Sequence, residues 1–114
     1  MDNITDREWT TAEERGRLIA ETEPHARTAR YDQETGLLLI ELTNGATYAV
    51  PARHLQGLAE ATDEQIAAVE TDTFGYGLHW EELDADFTVG GLLAGRFGTA
   101  RYMEDFRKRI RDAA

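Results

Sequence analysis

The sequence predicts an α+β domain: a small antiparallel sheet around an Asn-Gly hairpin, packed with short helices and flanked by a helix at each end. Three observations predict it. Asn44-Gly45 separates two apolar runs, which is the strongest short hairpin signal. Thr10-Thr11-Ala12-Glu13 and Thr62-Asp63-Glu64-Gln65 both have capping-box spacing, so each opens a helix. Tyr102, Met103, Phe106 and Ile110 recur at helical spacing near the C-terminus.

Residues 1–9 read as a frayed lead-in. The N-terminal helix over residues 10–24 starts at the first capping box and stops before Pro24, with a thin apolar stripe of Ala12, Leu18, Ile19 and Ala20. Arg27 to Tyr31 reads as a strand, residues 32–36 as its turn, and Leu37 to Thr43 as a second strand. Only Glu41 breaks that second strand's apolar character, which places it mid-sheet. A two-residue type I′ turn at Asn44-Gly45 would pair Thr43 with Ala46, Glu41 with Tyr48 and Leu39 with Val50. Pro51 cannot donate to a ladder and ends the third strand. Ala52 to Gly57 reads as a short helical turn with Leu55 and Leu58 inward, and 62–70 as a helix burying Ile66 and Val69.

The segment from Phe74 to Gly95 is too glycine-rich for one long helix and too apolar for a loose loop. Gly75 and Gly77 permit positive φ or close backbone approach. Leu78 and Trp80 then point one way and His79 the other, as in a short strand. Asp84, Asp86 and Thr88 read as turn and cap residues, opening a helix from Val89 to Leu93 or Ala94. After a hinge at residues 95–98, a helix over 99–112 is supported by the Glu104/Lys108 and Asp105/Arg109 pairs.

Composition narrows the chemistry. A chain of 114 residues makes a single domain. It has no apolar run approaching the roughly 20 residues of a membrane span, its first residues are polar and acidic, and a cytoplasmic location is expected. Cysteine and serine are both absent, so disulfides, thiolate sites and the commonest nucleophiles are excluded. The single lysine, Lys108, follows arginine rather than glycine, which argues against a phosphate loop.

The net charge of −10 is unevenly placed. Residues 1–95 hold 19 carboxylates against 6 cations, whereas residues 96–114 hold 3 against 6. No Lys or Arg lies between Arg53 and Arg96. That interval carries Glu60, Asp63, Glu64, Glu70, Asp72, Glu81, Glu82, Asp84 and Asp86. On a shared surface these nine would repel nucleic acid and attract a basic partner.

His79 with Glu81, Glu82, Asp84 and Asp86 is the one cluster whose donors suit Mg²⁺, Mn²⁺ or Zn²⁺. Its spacing is not that of an EF-hand, because Val89 stands where the loop needs glycine. A hydrogen-bonded structural histidine beside a core tryptophan is the better reading. No catalytic residue, metal or cofactor is therefore expected. Arg101, Arg107, Lys108, Arg109 and Arg111 form the basic cluster. Direct DNA binding through it is disfavoured, because two of the five have intrahelical acidic partners. The stripe of Tyr102, Met103, Phe106 and Ile110 either packs on its own domain or serves self-association as a homodimer.

Asn44-Gly45, the strand end Tyr48-Ala49-Val50-Pro51, the run Leu58-Ala59-Glu60-Ala61-Thr62, Gly95-Arg96 and above all Gly77-Leu78-His79-Trp80-Glu81-Glu82-Leu83-Asp84-Ala85-Asp86 carry a resemblance. Over roughly residues 27–97 the chain resembles the longer members of bacterial domain-of-unknown-function family 2442. Relatives usually have proline after the tryptophan, where this chain has Glu81. The resemblance implies a small α+β domain, often encoded beside a toxin-like neighbour or fused to a helix-turn-helix, with no established catalysis.

Residues and resemblance together point to a non-enzymatic acidic interaction protein of bacterial or phage origin. It would resemble an antitoxin, immunity protein or inhibitor, including an inhibitor of a defence system. Its nine central carboxylates would imitate nucleic-acid phosphates and engage a basic, nucleic-acid-handling protein. The alternative is a regulatory module that dimerises or contacts DNA through its basic C-terminal helix.

Overall fold

The computed structural model describes residues 23–113. The fold is α+β, with two three-stranded antiparallel sheets rather than one. The first comprises β1 (Ala26–Asp32), β2 (Leu37–Leu42) and β3 (Thr47–Pro51), in that order. A 3₁₀ turn at Ala52–His54 and helix α1 (Asp63–Ala67) follow. Next come the second sheet, β4 (Glu70–Thr71), β5 (Gly77–Trp80) and β6 (Ala85–Thr88), then helices α2 (Val89–Leu93) and α3 (Ala100–Ala113). The helix expected over residues 10–24 falls on positions outside those described.

β2 is the central strand, as its apolar composition requires. Leu38, Ile40 and Leu42 are buried, and on β3 so is Val50. The hairpin differs from expectation by one residue. Leu38 faces Val50, Leu39 faces Ala49 and Ile40 faces Tyr48, so the loop contains Thr43, Asn44 and Gly45. The Gly45 N–H donates to the Leu42 carbonyl and the Leu42 N–H to Ala46. Gly45 alone takes positive φ, 92°, while the Asn44 side chain accepts from the Ala46 N–H. This is the three-residue hairpin loop with a left-handed glycine. The physical reason is parity. Residues opposite one another share a face, and the expected pairing of Leu39 with Val50 would have turned Val50 away from Leu38 and Ile40.

The second correction concerns α1, whose Thr62 capping box is fully formed: the Thr62 hydroxyl accepts from the Gln65 N–H, and the Gln65 side chain accepts from the Thr62 N–H. The helix nevertheless ends at Ala67, not at residue 70. Glu70 and Thr71 pair instead with His79 and Leu78, so sheet formation overrides helical propensity there. Asp86, read as a turn residue, lies in β6 opposite His79. α2 begins at Val89, as expected, with the Thr88 hydroxyl accepting from the Gly91 N–H.

One core joins both sheets. Leu78 and Trp80 of β5 bury their side chains with Leu38 and Ile40 of β2, Leu55 and Leu58 after the 3₁₀ turn, Ile66 of α1, and Val89 and Leu92 of α2. The Trp80 indole N–H donates to the Ile66 carbonyl at 2.9 Å. That carbonyl lies in the last turn of α1, where helix acceptors lose their own partners. A backbone bond ties the sheets together directly, from the Ala26 N–H to the Gly75 carbonyl at 2.7 Å.

Candidate functional site

β5 organises the acidic part of the surface. Strand alternation sends Leu78 and Trp80 into the core and turns His79 outward. Register then sets two carboxylates beside the imidazole, because Glu70 of β4 and Asp86 of β6 are its cross-strand neighbours. Glu81, two residues along from His79, completes the group. The His79 Nδ1 lies 2.6 Å from Asp86 Oδ1, and Nε2 lies 2.6 Å from Glu81 Oε2. Hydrogen bonding first to Glu81 and then to Asp86 raises the His79 pKa above its ordinary value. Both ring nitrogens are engaged by carboxylates, an arrangement that favours the protonated ring more than in a free histidine.

The other acidic residues are placed as follows. Asp72 sits at the end of the same face, where its carboxylate accepts from the Phe74 and Tyr76 N–H groups. It lines a shallow groove of about 230 Å³ with Gly77, His79, Asp86 and Thr88. Asp84 occupies the β5–β6 turn at φ 49°. Glu82 accepts from the Gln65 side chain. Glu60 and Glu64 are exposed around the start of α1. Asp63 is engaged internally: it accepts from the Tyr31 hydroxyl, Gln33 and Arg53. The Tyr31 bond is the main cause of its lowered pKa, and Asp63 in turn raises that of Tyr31. The fold thus brings Glu70, Asp72, Glu81 and Asp86 to one sheet face, with Asp84 at its end. It sets Glu60, Asp63 and Glu64 apart.

Glu70 is the member of this row that the sequence did not group with His79, which was read beside Glu81, Glu82, Asp84 and Asp86. The signal that could have found it is the pairing of β4 with β5, which places Glu70 opposite. Among the described residues, no set of three histidine or carboxylate side chains is arranged to hold a metal ion.

The C-terminal stripe packs largely on its own domain. Met103 is buried and its sulfur accepts from the Phe97 N–H. The Tyr102 hydroxyl donates to the His54 carbonyl, while the Phe106 ring meets those of His54 and Phe97 edge-on. Ile110 remains 50% exposed. Arg109 lies over the Tyr102 and Phe106 rings, 5.8 Å from each centroid. Arg101, Arg107, Lys108 and Arg111 are exposed on the helix.

Comparison with known proteins gives kinship without an activity. The family model described as "Protein of unknown function (DUF2442)" matches residues 26–98. A crystal structure of a protein of unknown function from Rhodospirillum rubrum is 50% identical, covering 72% of this chain and 99% of its own, with a TM-score of 0.69. The solution structure of an uncharacterized protein from Chromobacterium violaceum is 30% identical, covering 82% of this chain and 86% of its own, with a TM-score of 0.68. None of the curated proteins matches. With most of the described residues inside the family match, and a half-identical relative sharing the fold, this chain belongs to the DUF2442 family.

Proposed function

We propose that this protein is a non-enzymatic binding protein, antitoxin-, immunity- or inhibitor-like, whose acidic second sheet engages a basic surface of a nucleic-acid-handling protein in the cytoplasm. The observation that carries the reading is the row Glu70, His79 and Asp86, flanked by Glu81 and Asp72, on one outward sheet face. Between Arg53 and Arg96 there is no Lys or Arg, so within that stretch His79, held between Glu81 and Asp86, is the group that can offset part of that charge. Closely spaced carboxylates on a rigid sheet present a field that a basic groove would otherwise meet in phosphates.

The test compares two triple charge reversals in a nuclease-treated pull-down from the source cell's lysate, at low and moderate salt. Glu70→Lys with Glu81→Lys and Asp86→Lys should abolish capture of a basic protein. Glu60→Lys with Glu64→Lys and Glu82→Lys, which changes net charge equally, should leave it largely intact. Equal loss in both variants, or capture that is indifferent to salt, would remove the reading. A second reading rests on exposed Ile110 among the cations of α3, which suits a regulator that dimerises or contacts DNA. Gel retardation abolished by neutralising Arg107, Lys108, Arg109 and Arg111 would support it.

A further inference from the structure

Backbone polarity in the second sheet leaves one strand edge without a neighbour. The Asp72 N–H donates to the Gly77 carbonyl, across the gap between β4 and β5, and the Val89 N–H donates to the Tyr76 carbonyl where β5 meets β6. In an antiparallel ladder each residue turns its N–H and C=O to one side, and successive residues alternate. With Leu78 opposite Phe87 and Trp80 opposite Ala85, the main-chain groups of Phe87 and Ala85 point to β5. Those of Asp86 therefore point away from the sheet. β6 is the last strand of its sheet, and among the described residues no strand lies beyond it.

This edge runs along a groove of about 520 Å³. Residues Leu83 to Phe87 form one wall, and Gln56, Gly57, Gly98 and Thr99 line the other. The far wall is tied in place, because the Gln56 N–H donates to the Phe97 carbonyl and the Gln56 side chain accepts from the Thr99 N–H. Gly98 lets the chain pass close to Gln56 and Tyr102 on that wall, because a Cβ there would lie 2.5 Å from the Gln56 side-chain oxygen and 2.7 Å from the Tyr102 ring.

We propose that the β6 edge accepts an extended basic segment of a partner protein as a fourth strand. The proposal rests on the acidic-face reading and deepens it from a charged surface to a defined mode of docking. Main-chain bonds to Asp86 supply the pairing, and side chains of the added strand alternate between two faces. Those on the outer face meet Asp86 and, beyond it, the His79–Glu81 pair. Those on the inner face meet the half-buried Leu83 and Phe87. The preferred segment therefore alternates arginine or lysine with apolar residues. A second copy of β6 fits less well, since edge-to-edge pairing would set Asp84 and Asp86 of both copies against one another.

The probe is a peptide of about six residues, the usual strand length, alternating arginine and valine, titrated into the ¹⁵N-labelled full chain. Its control carries the same side chains with alternate backbone nitrogens methylated, which removes the pairing edge and preserves the charge. The unmethylated peptide should shift the Asp86 and Phe87 amides, protect the Asp86 N–H from exchange, and bind at least about tenfold more tightly, a difference of about 1.4 kcal/mol. Equal affinity for both peptides would overturn strand addition while leaving the acidic face standing. Failure of both to bind, with the triple reversal at residues 70, 81 and 86 still abolishing capture from lysate, would do the same. Protection of the Asp86 N–H in a concentration-dependent dimer without peptide would assign the edge to a second copy and overturn the proposal.

Discussion

Gly75 is where a single methyl group should loosen the joint between the two sheets. Its φ is 77° and its carbonyl accepts the Ala26 N–H at 2.7 Å. A Cβ added there would lie 2.3 Å from the Ala26 carbonyl oxygen and 3.2 Å from its nitrogen. Gly45 makes the control, with a φ of 92° but nothing within 4 Å of its added Cβ. Left-handed backbone costs an L-residue roughly 1–2 kcal/mol, and alanine recovers about 0.4–1 kcal/mol by restricting the unfolded chain. Gly45→Ala should therefore destabilise by about 1 kcal/mol. Gly75→Ala adds a backbone clash that cannot be relieved by a rotamer change, and retreat of Ala26 leaves a buried N–H without its acceptor. That loss costs about 1–3 kcal/mol more, for a total of roughly 2–4 kcal/mol. In urea, with a slope near 1.5 kcal/mol per molar, the midpoint should fall by about 0.7 M for Gly45→Ala and by about 2 M for Gly75→Ala. Circular dichroism reads both transitions, and hydrogen exchange at the Ala26 amide reads the joint itself. Equal midpoint shifts for the two variants, or unchanged Ala26 exchange in Gly75→Ala, would refute the reasoning.

Two further outcomes follow from the core and the acidic face. Trp80→Phe keeps an aromatic ring but removes the indole N–H from the Ile66 carbonyl, so urea unfolding should show a loss of about 1–3 kcal/mol for the orphaned acceptor, with a smaller addition for the lost ring volume; a change under about 0.5 kcal/mol would mean that water replaces the bond. Glu70 from β4, Asp86 from β6 and Glu81 all face His79, and its pKa is raised in the folded state, so the histidine's stabilising contribution is fully present below the unfolded pKa of about 6.5 and is lost as pH rises through the higher folded value. The melting-temperature difference between wild type and His79→Gln should shrink accordingly on going alkaline, and an NMR titration placing His79 at or below about 6.5 would contradict the clamp.

Most of the first sheet was legible because its signals are local. A strand apolar on both faces, a proline that ends its neighbour and a glycine in the intervening loop depend on nothing remote. Even the loop length was latent in the pattern: Leu38, Ile40 and Leu42 are alternate residues, as are Tyr48 and Val50, and only a loop with an odd number of residues lets the two sets share a face. The second sheet was partly hidden, because Glu70-Thr71 is two residues long and follows a helix whose periodicity runs on past its true end. Its pairing with β5 is settled by the burial of Leu78 and Trp80 against the distant first sheet, information that no window around residue 70 contains. The acidic site inherited that difficulty. Glu81 and Asp86 lie near His79 in sequence and could be grouped with it, whereas Glu70 becomes its cross-strand neighbour only through the strand pairing. Asp63 shows the converse: its role as a helix-opening carboxylate could be read directly, but its capture by Tyr31, Gln33 and Arg53 could not.

The carboxylates at the β6 edge also bear on solubility. An unpaired strand edge is a template on which like molecules can stack into aggregates, and inward or flanking charge is a common guard against it. Asp84 and Asp86 stand at this edge as such gatekeepers, and their protection is electrostatic, so it weakens as ions shorten the Debye length from about 10 Å at 0.1 M to about 3 Å at 1 M. Added salt should therefore lower the barrier to self-stacking, at the same ionic strengths that would weaken the docking proposed above. A high-salt purification step would be the one at which this protein is most exposed to precipitation.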